Sequence, residues 1–319
     1  MIKRTLYFGN PAYLSLTNSQ LVVRLPEVEN NKQLDTAFKQ QAQASIPVED
    51  IGVVVLDHKQ ITITHGLLDA LMENNVAVIT CNSTRHPAGL LLPLQGNTLQ
   101  HERYADQLAA SEPLRKQLWQ QTIVQKIKNQ AVVLQHQQID AARLYPVYNN
   151  VKSGDSENAE GTAAAFYWTN VFTKLPAGMA HAPGSLFRRQ RDGLPPNNYL
   201  NYGYAILRAT MARSIVVAGL LPTKGIHHHN RYNAYCLADD LMEPFRPYID
   251  KLVIDIILKH GITTDLTKNI KADLLTIPVI DVTMEGESSP LMVATQRTAT
   301  SLVKCFAGEQ RKLIYPELS

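Results

Sequence analysis

The chain has 319 residues, of which 45% are hydrophobic and 18% charged, and carries a formal net charge of +3. That length is about twice the usual single domain, so two domains with separate cores are expected. Cys81, Cys236 and Cys305 are odd in number and scattered, which argues against a disulfide framework and for a reducing compartment. The longest apolar run, residues 215–222, is far short of the ~20 needed to cross a bilayer. Residues 1–7 open an alternating run and hold no apolar signal region, so the expectation is a soluble, cytoplasmic protein without a membrane partner.

Taken in chain order, residues 5–8, 13–16, 21–25, 52–56, 61–64 and 76–81 are short apolar or β-branched runs separated by turn residues. Residues 65–73 read as a helix with Leu67, Leu68 and Leu71 on one face, stopped at Asn74-Asn75. The links are hairpin-length, which predicts a small, mostly antiparallel sheet domain over residues 1–97. From His101 the composition turns to Gln, Leu, Ala and Lys with apolar residues at helical spacing. A larger all-helical domain over 98–319 is therefore expected, giving an α+β chain. The polar stretch 181–198, with Arg188, Arg189, Arg191 and Pro195-Pro196, reads as a mobile loop.

The densest chemistry lies in residues 225–247, where His227, His228 and His229 precede Asp239, Asp240 and Glu243. One straight helix from His228 to Glu243 would separate them by roughly 22 Å, too far to share a metal, so the segment must fold back. Asn230 and Asn233 are suited to break it. Pro244 places Glu243 at a kink or helix end, where it is either freed for ligation or ion-paired with Arg246. Glu160, in the first turn of a helix opening near 156–158, is either a dipole-favoured carboxylate or a ligand with small residues around it. Structural zinc would need four closed ligands, and the cysteines are scattered. Two carboxylates and one imidazole instead suit Mg²⁺ or Mn²⁺. Lys224, Arg231 and Arg246 bracket the segment, so positive charge gathers where a polyanion would need it.

Four blocks carry a resemblance that spans essentially the whole chain: Asn158-Ala159-Glu160-Gly161, residues 200–208, Gly225-Ile226-His227-His228, and Asp240-Leu241-Met242-Glu243 running on to Pro247. In that order they resemble the CRISPR-associated spacer integrases, the first subunit of the adaptation machinery. The wording of 241–247 is similar to the branch accompanying large single-effector systems. The resemblance implies a metal-dependent DNA endonuclease and integrase that joins the 3′-hydroxyl ends of spacer DNA to a repeat by transesterification. A stand-alone nuclease and a non-catalytic DNA scaffold are the alternatives. It implies Glu160, His228 and Glu243 as catalytic metal ligands, with Asp240 in a supporting position. Arg188, Arg189, Lys224, Arg231 and Arg246 are the candidate DNA contacts, with Lys174 beside them. Residues 200–208 are expected to pack beneath the site, small Gly203 and Ala205 letting another backbone approach. The amino-terminal domain is expected to form a homodimer, and a small ferredoxin-like partner (Cas-two) to complete a heterohexamer on DNA.

Overall fold

The computed structural model describes residues 2–175, 187–190 and 195–319, which divide into two compact units, Met1–Gly96 and Asn97–Ser319. Arg191 and most of the stretch expected to be a mobile loop lie outside the described residues.

The first unit contains β1 (Arg4–Phe8), β2 (Ala12–Thr17), β3 (Gln20–Arg24), α1 (Pro26–Glu29), α2 (Thr36–Gln41), β4 (Ala44–Pro47), β5 (Ile51–Leu56), β6 (Ile61–Ile63), α3 (His65–Glu73), β7 (Ala77–Cys81) and β8 (Pro87–Leu91). They form two four-stranded sheets, ordered β1-β5-β7-β8 and β4-β3-β2-β6. Leu14, Leu21, Ile51, Val54 and Val78 form its core with Leu67 and Leu71 of α3.

Strand pairing corrects one expectation. Of the six pairings, β1·β5, β5·β7 and β2·β6 are parallel and the other three antiparallel, so the unit is mixed rather than mostly antiparallel. Short links mislead because several of them join strands in different sheets. The tight turn at Asn18 and Ser19, both with positive φ, makes a true hairpin of β2 and β3. Consecutive strands such as β1 and β2, by contrast, part company, and α3 serves as the crossover before β7. Central β5, buried along most of its length, carries the unbroken apolar run typical of a parallel strand covered on both faces.

The second unit is largely helical: α4 (Gln100–Ala109), α5 (Glu112–His136), α6 (Tyr145–Asn149), α7 (Ala159–Asn170), α8 (Asn197–Val217), α9 (Cys236–Leu241), α10 (Arg246–His260), α11 (Lys268–Leu274) and α12 (Leu291–Phe306). It also holds a hairpin of β9 (Asp281–Met284) and β10 (Glu287–Pro290), so it is not purely helical. None of the described helices is long and apolar enough to cross a membrane. Helix α8 is buried on nearly every side, and a Cβ on Gly203 would stand 2.6 Å from Ile249 Cγ2. The missing side chain is what lets α10 approach.

A polar knot ties three helices inside this apolar core. Asp250 of α10, 1% exposed, accepts hydrogen bonds from Tyr167 of α7 at 2.9 Å and from Tyr204 of α8. The guanidinium groups of Arg189 and Arg246 lie over the Tyr204 ring, 5.2 and 4.8 Å from its centroid. Burial pushes the Asp250 carboxyl up to about 6 from 3.8, against the phenol hydrogen bonds and the two arginines. A carboxyl raised on folding stabilises the fold fully below its unfolded value, and that contribution is lost as pH rises through about 6. Asp250→Asn removes the titration, so the parent protein should lose up to about 3 kcal/mol relative to this variant between about pH 4 and about pH 7. Urea unfolding at both pH values measures the difference; a pH-independent gap would show that Asp250 stays ionised.

Candidate active site

Glu160 enters the site from the first turn of α7. Asn158, in the left-handed conformation at φ 54°, accepts a hydrogen bond from Gly161 N, and Asp155 accepts from the amides of Ala159 at 2.7 Å and Glu160 at 3.1 Å. These caps satisfy the open donors of the helix start. The Glu160 carboxylate is left to face α5, where Lys126 Nζ donates to Oε1 at 2.5 Å.

Glu243 reaches the same lysine from the opposite direction. Helix α9 ends at Leu241, and Glu243–Phe245 make a 3₁₀ turn before α10, as Pro244 requires. Asn129, one turn beyond Lys126 on α5, donates to the Pro244 carbonyl at 2.7 Å and clasps that turn against the helix. Lys126 Nζ consequently stands 2.6 Å from Glu243 Oε2, while Arg246 approaches Oε1 at 3.1 Å. The contact at Oε2 is short enough to be a strong charge interaction, yet it lacks hydrogen-bond alignment, and this buried oxygen has no hydrogen bond. Burial alone would raise the Glu243 carboxyl and lower the Lys126 ammonium. The charges prevail: Arg246 and Lys126 hold Glu243 below the usual carboxylate range, and Glu243 and Glu160 hold Lys126 above its usual value.

The histidine segment does fold back. Asp240, fully buried in α9, accepts from the backbone amides of His227 at 2.9 Å and His228 at 3.2 Å, and its Oδ1 lies 2.5 Å from His228 Nδ1. Asn230 and Asn233 each accept from the amide two residues on, at 2.9 Å, and make the turns that return the chain. The hydrogen bond to Asp240 raises the His228 imidazole above its usual value, while burial raises Asp240 itself, and the contact between them engages Nδ1. That leaves Nε2 as the ring nitrogen for a ligand. His227 stacks on Trp119 with centroids 4.2 Å apart and planes 3° from parallel. His229 Nδ1 is 3.0 Å from the His227 carbonyl.

Among the described residues no three His, Cys, Asp or Glu side chains stand close enough to hold a metal ion as they are. The space between Glu160 and Glu243 is filled by an ammonium group. The donor set nevertheless fits a hard divalent cation: two carboxylates already converge on one positive charge, one of their buried oxygens has no hydrogen bond, and an imidazole with an engaged Nδ1 lies on the adjoining loop.

The candidate DNA contacts divide. Arg188, Lys224 and Arg231 are exposed, as is Lys174. Arg189 is spent on Asn197 at 3.0 Å, Asn201 at 2.6 Å and the Tyr204 ring, and Arg246 on Glu243 and the same ring. These two are partly buried braces, since a guanidinium packs readily where it is stacked and ion-paired. Arg208, in the block expected to pack, donates to Asp239 at 2.6 Å. An open groove of ≈ 870 Å³ runs past the histidines and is flanked by Arg115, Lys116, Lys224 and Arg231. Lys126, Asn129 and Trp119 escaped sequence reasoning. The available signal was a lysine three residues from Ile123 and one from Ile127, on the apolar side of α5.

A family model described as CRISPR associated protein Cas1 matches residues 7–277. The chain is 34% identical over 303 residues to the CRISPR-associated endonuclease Cas1 of Neisseria meningitidis serogroup C (strain 8013), covering 94% of this chain and 91% of that one. Among solved structures, a casposase bound to integration product matches with a TM-score of 0.76 at 20% identity, over 98% of this chain and 92% of that one. A Cas6-RT-Cas1–Cas2 complex matches with a TM-score of 0.72 at 19% identity, over 99% of this chain and 36% of that one. Both structural likenesses concern the fold.

The histidine loop depends on a glycine. A Cβ on Gly225 would lie 2.4 Å from the His228 carbonyl oxygen and 2.6 Å from Asp240 Oδ2, and neither atom can retreat without moving the loop. Gly225→Ala should therefore destabilise the protein by about 1–3 kcal/mol. Chemical denaturation measures the loss, and the ¹⁵N–¹H signals of His227 and His228 should shift with it; unchanged stability and signals would show that the loop yields freely.

Proposed function

The chain belongs to the family of CRISPR-associated protein Cas1, and from that premise we propose that Glu160, His228 and Glu243 form one metal-dependent site for both activities, transesterification in integration and hydrolysis in cleavage. The carrying observation is that carboxylates from two separate helical elements meet at one cation, Lys126 Nζ, at 2.5 and 2.6 Å. Proteins avoid burying two acids side by side unless positive charge is placed between them. A divalent cation bound by these residues would supply charge to the non-bridging phosphate oxygens and lower the energy of the alkoxide nucleophile.

The chain's own residues do the rest. Glu160 and Glu243 offer oxygen ligands held by the α7 caps and by the Asn129–Pro244 clasp. His228 contributes Nε2 as a neutral ligand or as a proton carrier, kept in its tautomer by Asp240. In the reaction, the 3′-hydroxyl of incoming DNA loses its proton and forms a new P–O bond at the repeat edge. The old P–O bond breaks, and the departing 3′-oxygen is protonated. Of the exposed cations, Lys224 and Arg231 line the groove, and with Arg188 they would position the DNA backbone without reading its bases.

The related fold in a Cas1–Cas2 complex supports assembly with a small second adaptation subunit, and exposed Tyr13, Leu16 and Leu91 on the strands of the first unit support its pairing with a second copy. Such an assembly would act in the cytoplasm on DNA.

Glu160→Ala, His228→Ala and Glu243→Ala should each lower strand transfer in Mn²⁺ by more than about a hundredfold, since even outer-shell partners of such sites are worth roughly 10–100-fold. The assay uses a branched or repeat-containing DNA, with and without the small partner, on variants shown to be folded by circular dichroism. Intact transfer in all three would overturn the site. Cleavage without joining, in either condition, would indicate a stand-alone nuclease, and metal-independent binding alone a scaffold. Lys224→Ala should weaken DNA binding and reduce the slope of log K against log salt by about 1.

A further inference from the structure

Lys126 is the group at this site that the proposed reaction does not use. It projects from the middle of α5, and its side chain retains 10% exposure. Its ammonium touches both carboxylates that the proposed function assigns to the metal, and Glu243 Oε2 receives charge from it without a formed hydrogen bond. Two further features separate it from an ordinary structural ion pair. Arg246 already neutralises Glu243 through the other oxygen, so Glu243 keeps a cation when Lys126 leaves. Glu160 keeps 27% exposure, so the site is open on its side.

We propose that Lys126 is a resident counter-cation that occupies the place between Glu160 and Glu243 in the metal-free protein and is displaced from it when a divalent ion binds. The inference rests on the reading of Glu160 and Glu243 as ligands. Without a divalent ion the two carboxylates repel, and Arg246 offsets the charge of Glu243 alone; the Lys126 ammonium is the cation that touches both and holds them converged. A dication carries twice the charge, and it cannot share the same carboxylate oxygens at coordinating distance with an ammonium already 2.5–2.6 Å from them. Lysine suits this exchange, being a compact point charge on a flexible four-carbon stem, whereas a planar, forked guanidinium would lock the acids in place. The consequence is a preformed site whose ion affinity is set lower than its ligands alone would give, because each binding event must expel a charge.

The test uses the full chain and Mn²⁺ alone. Lys126→Met should bind Mn²⁺ at least about tenfold more tightly than the parent protein, read by electron paramagnetic resonance of free Mn²⁺. In EDTA this variant should melt below the parent, and saturating Mn²⁺ should close the gap. In the parent protein, acylation of Lys126 by an amine-reactive reagent, followed by mass spectrometry, should rise when Mn²⁺ is added; this arm holds even if the variant fails to fold. Equal or weaker Mn²⁺ binding by a folded Lys126→Met, or labelling of Lys126 that Mn²⁺ leaves unchanged, would overturn the displacement and make the lysine a fixed brace or a partner of the bound ion. If the displacement fails in either of these ways, loss of parent Mn²⁺ binding in Glu160→Gln shows in the same titration that the ligand reading still stands. No Mn²⁺ binding by the parent at all would overturn both.

Discussion

Two carboxylates taken out of water from different parts of a chain repel each other, and nothing in either local segment can hold them together. In this protein the constraint is met by Lys126, whose ammonium sits between Glu160 and Glu243. Glu243 also has Arg246 beside it and Glu160 is partly exposed, but among the described residues only Lys126 bridges the two acids. The surrounding backbone is arranged to keep the set aligned. Asp155 and Asn158 fix the start of α7, and Asn129 draws the Pro244 turn onto α5. Asn129 also donates to the Pro316 carbonyl at 3.0 Å and accepts from Leu318 N at 3.1 Å, so the end of the chain is secured by the same side chain. A single polar stripe along α5, formed by Thr122, Lys126 and Asn129, therefore organises the site and its supports.

The charges do not stop at the carboxylates. Arg246 passes from Glu243 to the face of Tyr204, Tyr204 donates to Asp250, and Asp250 accepts from Tyr167 on α7. Helix α7 also carries Glu160, so the path returns to its start. A chain of polar contacts whose two ends are carried by one helix is stiffer than the same contacts made separately, since displacing one member strains the rest. Arg189 lies over Tyr204 beside Arg246 and connects these contacts to Asn197 and Asn201 at the start of α8. Residues far apart in the chain thus share one electrostatic balance, with the cations Lys126 and Arg246 set against the carboxylates Glu160 and Glu243.

What the sequence discloses follows the range of the interactions involved. Apolar runs such as 51–56 and the face of Leu67 and Leu71 are local patterns, and they form the expected strand and helix. The return of the histidine loop was legible because helix geometry forbids the straight alternative. Sheet direction was not, since the partner of each strand is chosen by long-range packing. Lys126 looked like any solvated lysine on a long helix, and its burial is decided by acids 34 and 117 residues further along the chain. Arg189 and Arg246 read as surface cations for the same reason: the ring that receives them, Tyr204, is visible only once α8 is packed.

The three histidines show how a run of identical residues can be given different work by its surroundings. The rings of His227 and His228 stand 87° apart, so Trp119 meets one face-on and the other edge-on. His227 is held by flat stacking on Trp119, His228 by a hydrogen bond to Asp240, and His229 by the carbonyl of His227. Asp240 and Glu243, three residues apart, would share one face of a continuous helix and compete for the same neighbours. The turn imposed at Pro244 separates them: Asp240 stays in α9 and takes the loop amides and His228 Nδ1, while Glu243 is swung onto Lys126. One acid is thereby used up in aiming the imidazole, and this is what leaves the other free to face Glu160.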